Sequence, residues 1–159
     1  MDNLTIQLLL WSFGGRRYAL PIESVEQVVR MVEVVPVPDA PVCVAGIINV
    51  HGRVIPVFFA FHSLEPGQCR LRFQQQLIIA HAGQRVFALI ADEVVGLFAC
   101  KPEELVPAEN VLPAGRFIQA ILKLPQGLVL LPDLEAFLSG ADAGRMLEDT
   151  NSEAGLRNA

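Results

Sequence analysis

The apolar residues of this chain fall in runs of five to nine, rich in Val, Ile, Leu and Phe and broken by Gly or Pro about every ten residues. Runs of that length, with that β-branched content and that punctuation, are the signature of strands and turns. The chain is therefore expected to be mainly β. Four stretches have the form of a hairpin around a short turn: "LTIQLLLWSFGGRRYALPI", "GIINVHGRVIPVFF", "LIIAHAGQRVFALIAD" and "FIQAILKLPQGLVLLP". Only two short helices are expected. One runs from Ser24 to Val29, where Ser24 and Gln27 have capping-box spacing, and the other from Leu134 to Leu138 after the Pro132-Asp133 break.

Aligned on itself at an offset of 69, the chain matches "GGRRYALPIESVEQVV" (14–29) to "GQRVFALIADEVVGLF" (83–98), with five of sixteen positions identical. At an offset of 74, "GIINVHGRVIPV" (46–57) meets "AILKLPQGLVLL" (120–131), apolar against apolar. One small β unit is written twice, and two packed barrels would leave neither unit an exposed sheet edge. The connectors "VPVPDAP" (35–41) and "KPEELVPAENVLP" (101–113) carry prolines that cannot donate to a ladder, which makes them loops or barrel edges. Residues 62–73 read as a surface link, and 141–159 as a polar, loose tail.

Composition excludes several classes of function. Apolar residues make up 52% and charged ones 18%, so the chain has the means to fold. Its net charge is −5, and no run of Lys or Arg exceeds Arg16-Arg17, read as a solvated strand edge, so nucleic acid is not an expected partner. No apolar window reaches membrane-spanning length, and direct membrane insertion is not expected. The cysteines Cys43, Cys69 and Cys100 are odd in number and widely spaced, which suits neither a disulfide framework nor a metal knuckle, and a reducing cytoplasm is the expected setting.

No constellation for catalysis stands out. G-x-S-x-G is absent, and His51, His62 and His81 lack metal-ligand spacing. No catalytic residue, cofactor or metal is expected. Trp11, Phe13, Phe58, Phe59, Phe61 and Phe87 follow strand spacing and are expected in the core. So apolar a small β protein keeps hydrophobic surface once its core is filled, and such surface marks a protein that docks. The alternative is a β-barrel enzyme or small-ligand binder using Asp92, Glu93, Glu23 and His62.

The order and spacing of four blocks carry a resemblance to a known family. They are "FGGRRYALPIESVEQV" (13–28), "VPVPDAP" (35–41), "GIINVHGRVIPV" (46–57) and "VFALIADEV" (86–94), and together the chain from about Leu4 to Leu138 resembles the bacterial chemotaxis coupling proteins, CheW. The resemblance implies two five-stranded SH3-like β-barrels. It implies a CheW-like domain over 1–140, with subdomain 1 at about 14–82 and subdomain 2 at about 1–13 plus 83–140. It further implies a non-catalytic adaptor between the cytoplasmic tip of chemoreceptors and the regulatory domain of a CheA-type histidine kinase. A divergent adaptor of a non-flagellar pathway, such as one for twitching motility, is the variant of that reading. Carried over by the resemblance, the partner-binding residues are Gly46, Asn49, Val50, His51 and Gly52 of the hairpin, with Val25, Gln27 and Val28. The family's V-D-x-V block is matched by Ala91, Asp92, Glu93 and Val94. Family members usually carry Arg at the position of His51 and Glu at that of Gln27, positions regarded as an ion pair. Both are changed here, and imidazole lacks the bidentate fork of Arg.

Overall fold

Two-residue turns set the architecture, because each holds its flanking strands in one antiparallel register. A computed structural model describes residues 4–40, 43–59, 70–111 and 117–139. In chain order its elements are β1 (Ile6–Phe13), β2 (Arg16–Pro21), a 3₁₀ turn (Ile22–Ser24), β3 (Val25–Arg30), β4 (Val44–Val50), β5 (Arg53–Phe58), β6 (Gln76–Ala82) and β7 (Arg85–Ala91). Then follow β8 (Glu93–Cys100), a second 3₁₀ turn (Pro102–Glu104), β9 (Leu105–Pro107), a third 3₁₀ turn (Ala108–Asn110), β10 (Ile118–Leu124), β11 (Gly127–Pro132) and α1 (Leu134–Ser139). All four expected hairpins form: β1–β2, β4–β5, β6–β7 and β10–β11. The helix at 134–138 forms as well.

The helix expected from Ser24 to Val29 does not form; after the 3₁₀ turn the chain enters β3 and pairs antiparallel with β6. A β-bulge explains the error. Val25 faces Ala80 and Gln27 faces Ile79, so Glu26 is an extra residue in the ladder. That insertion breaks the period of two and puts Val25 and Val28 on one face, a spacing that imitates a helix.

The strands make two sheets, ordered β3-β6-β7-β5-β4 and β8-β1-β2-β11-β10-β9. The offsets of 69 and 74 carry the first order onto the second strand by strand, with β9 as the addition. They also carry irregularities onto irregularities. The bulges at Val25/Gln27 and Val44/Gly46 correspond to those at Val94/Gly96 and Ile118/Ala120. The antiparallel bridge from Val35 to Ile47 has its counterpart in the pairing of Val106 with Ile121, the isoleucines at the offset of 74 and the valines at 71.

Each hairpin keeps its two strands in one sheet, so β2 lies in the six-stranded sheet and β7 in the five-stranded one. One expectation needs correction: no closed barrel appears among the described residues, because strand pairing ends at β3 and β4 in one sheet and at β8 and β9 in the other. The proline-bearing connectors supply the last rung instead, through Val35 before Pro36 and through β9 before its terminal Pro107. Arg16 and Arg17 are exposed as expected, yet β2 is an interior strand, paired to β1 and β11.

Alternation along β1 joins the two cores. Leu9, Trp11 and Phe13 enter a large core with Val57, Phe58, Ile78, Phe87 and Leu89, while Leu8 and Leu10 enter a smaller one with Ala19, Leu122, Val129 and Leu131. α1 seals the large core: Phe137 meets Phe58 edge-on at 5.0 Å and Phe117 at 5.5 Å. Trp11, Phe13, Phe58, Phe59 and Phe87 are buried, and Phe61 lies outside the described residues, as do His62, Cys69 and the tail 141–159.

Candidate partner-docking site

The β4–β5 turn brings the expected contact residues to one corner. Val50 pairs with Arg53, leaving His51 (φ 50°) and Gly52 (φ 86°) as the two central residues, both in the left-handed region as a type I′ turn requires. Glycine adopts this conformation freely, whereas histidine does so at some cost. The Asn49 side-chain oxygen accepts a hydrogen bond from the Gly52 amide at 2.8 Å and fixes the turn. Asn49, His51, Gly52 and Arg53 are exposed.

The extra residue of the β3 bulge is aimed at this corner. Glu26 accepts a hydrogen bond from the Arg53 guanidinium at 2.7 Å, and both side chains keep contact with solvent. That hydrogen bond is the main cause holding the Glu26 carboxyl below its usual value, opposed by desolvation and helped by the charges of Arg53 and His81. The pair raises Arg53 in turn. An ion pair thus links β3 to the hairpin although Gln27 and His51 cannot form one. Beside the turn lies a groove of about 370 Å³, lined by Val32, Glu33, Val35, Ile47, Ile48, Asn49 and Val54. Val32 and Val35 are exposed apolar residues in it.

The eight residues expected to bind partners divide by burial. Asn49, His51 and Gly52 are open to solvent, and Val25, Gln27 and Val28 are half-buried. Val50 and Gly46 are buried, so their roles in the structure lie within the fold. At Gly46 (φ 150°) the chain passes so close to Val35 that a Cβ would land on the Val35 carbonyl oxygen. Sequence reasoning missed Glu26, Arg53, Val32, Val35 and Val54. Only the broken alternation of "VEQVVR" hinted at the first, and nothing local marks the groove.

The carboxylates proposed for catalysis are placed otherwise. Asp92 accepts hydrogen bonds from the Gly14 amide at 2.8 Å and from Gln75 Nε2 at 2.9 Å, and Arg72 lies 3.9 Å away. Its own amide donates to the Ser12 carbonyl at 2.7 Å. Asp92 therefore ties down the point where the chain crosses from β7 in one sheet to β8 in the other. Glu23 and Glu93 are exposed. No group of three or more His, Cys, Asp or Glu is placed to hold a metal among the described residues. Cys100 is buried, and desolvation, followed by the charge of Glu104, pushes its thiol upward. No helix among the described residues is long and apolar enough to cross a membrane.

Comparison with known proteins yields consistent findings. The family model for the CheW-like domain matches residues 7–142. The chain is 22% identical over 147 residues to the chemotaxis protein CheW of Klebsiella aerogenes, covering 86% of this chain and 83% of that one. It is 29% identical over 100 residues to protein FrzA of Myxococcus xanthus, covering 63% and 59% of the two chains. Among solved structures, the scaffolding protein TtCheW of Thermoanaerobacter tengcongensis superposes with a TM-score of 0.73 at 21% identity, covering 87% of this chain and 96% of that one.

Proposed function

Because this chain belongs to the CheW-like domain family, we propose that it is a non-catalytic adaptor of chemotaxis signalling. It joins the cytoplasmic tip of chemoreceptors to the regulatory domain of a CheA-type histidine kinase and works in the cytoplasm. The observation that carries the reading is the β4–β5 corner, an exposed and internally braced turn beside an apolar groove. Interfaces draw their energy from apolar anchors set in pockets and their orientation from a charged rim. The groove provides the pocket, and Glu26 with Arg53 provides the rim. Asn49, His51 and Gly52 meet the partner directly, with Val25, Gln27 and Val28 beside them, while Gly46 and Val50 shape the hairpin from inside. The engagement of Asp92 by Gly14 and Gln75 supports the non-catalytic reading, since its carboxylate holds the fold together.

We also read the two sheets as SH3-like barrel units related by duplication, supported by strand order and bulges that match at fixed sequence offsets. Titration calorimetry with the cognate receptor tip and the kinase regulatory domain tests the function. Binding of both is expected, and no heat with either at tens of micromolar would overturn the adaptor reading.

A second reading, an adaptor of a non-flagellar pathway, is favoured by one observation: the pair bracing the hairpin is Glu26–Arg53, with Gln27 and His51 at the family's usual pair positions. Introducing Gln27→Glu together with His51→Arg is expected to change partner affinities. Unaltered affinity for every partner would remove this reading.

A further inference from the structure

The corner built by the β3 bulge and the β4–β5 turn has a counterpart in the six-stranded sheet. At the offset of 69 the bulged residue Glu26 becomes Val95 of β8, and at 74 the turn residues His51-Gly52 become Pro125-Gln126 between β10 and β11. The geometry recurs, because Val95 and Gln126 line one groove of about 310 Å³ together with Leu124, Arg17 and Glu93. Across Arg17 opens a second groove, of about 440 Å³, lined by Arg16, Gly127 and Leu128 among others. The chemistry differs. In place of an ion pair this corner exposes two apolar side chains, Val95 at 59% and Leu128 at 61%. Arg17 lines both grooves and Arg16 the larger one, and exposed Lys123 faces Leu128 across the β10–β11 ladder. Arg17 is held in place by donating to the Gln126 carbonyl at 3.3 Å, which leaves further donors of its guanidinium for a ligand.

We propose that this double groove is a second docking surface, which takes an acidic segment of a partner protein carrying an apolar anchor residue. Arg16 and Arg17 in the groove walls, with Lys123 beside Leu128, select carboxylates on a chain of net charge −5, and among the described residues Glu93 is the one acid lining either groove. The exposed leucine and valine select a segment that buries an aliphatic or aromatic side chain, which a free anion or a nucleic-acid backbone lacks. The correspondence with the first corner rests on reading that corner as a docking site; the grooves and their charges do not.

The test is an amide NMR titration of the labelled full chain with a synthetic peptide of Asp and Glu residues around one Leu. The same peptide with Ser for Leu, polyglutamate and oligodeoxythymidine serve as comparisons. Shifts confined to Arg16, Arg17, Val95, Gln126 and Leu128 are expected with the leucine peptide, weakening as salt is raised. In the Arg17→Glu and Leu128→Ser chains, each with an unchanged spectrum elsewhere, the peptide should bind at least about tenfold more weakly. His51→Asn should leave its binding unchanged, which separates this surface from the first. Equal binding of polyglutamate or oligodeoxythymidine would overturn the proposal, as would shifts centred on the β4–β5 corner or none at millimolar peptide.

Discussion

The two corners share a backbone and differ in side chains. In the five-stranded sheet the bulge residue is Glu26, bound to Arg53; in the six-stranded sheet it is Val95, exposed beside Arg17. Bulge, turn and flanking rung occur in both sheets, so the backbone needs neither the charge nor the valine. What the side chains set is the kind of surface offered: a charge-neutral pair beside an apolar groove, or arginines beside exposed apolar side chains. A doubled fold can thus hold two different contacts while its scaffold stays the same.

The largest effects should come from the cores beneath these corners. Phe58→Ala, in the large core, is expected to cost about 3–5 kcal/mol, and Leu122→Ala, in the small one, about 2–5 kcal/mol. Because β1 packs into both, each variant should unfold in a single urea transition followed by Trp11 fluorescence and circular dichroism alike. Two separated transitions would break the picture of sheets joined through β1. Next comes Gly46→Ala, where the added Cβ meets the Val35 carbonyl; about 1–3 kcal/mol of strain is expected. The corresponding residue of the other sheet is already Ala120, so Ala120→Gly should cost less than 1 kcal/mol or so by the same denaturation assay.

Asp92→Ala leaves the Gly14 amide and Gln75 without their acceptor and should cost about 1–3 kcal/mol. Faster hydrogen exchange at Gly14 should accompany it, and unchanged exchange there would contradict the role given to Asp92. At the β4–β5 turn, His51→Asn should stabilise by a few tenths of a kcal/mol, since Asn accepts the left-handed conformation more readily. The smallest effect concerns pH. Glu26 has a folded pKa below its unfolded one, so its contribution is complete above the unfolded value and is lost as pH falls through the folded value. Arg53→Gln should therefore flatten the acid side of the stability profile, and an unchanged slope would mean that the exposed pair contributes nothing.

Much of this was legible in the sequence. Hairpins are local, so "SFGGRRY" and "NVHGRV" announce themselves by turn residues and by the alternation around them. The repeat was legible too, because its offsets preserve apolar positions. Which hairpin joins which sheet was not, since the parallel pairings of β5 with β7 and β11 with β2 join strands far apart in sequence. The bulge at Glu26 misled, because one inserted residue turns a strand's period into something close to a helix's. For the same reason the Glu26–Arg53 pair was hidden: two residues 27 positions apart meet only when the bulge turns one toward the other.

Hydrogen exchange of the full chain, alone and with the receptor tip and the kinase regulatory domain separately, reports on both corners at once. Protection is expected at residues 49–54 and around Glu26 with at least one partner, and protection of the corner around Val95 and Leu128 should vary independently of it. Protection of neither corner by either partner, with slowed exchange elsewhere on the sheets, would contradict the docking role of the corners.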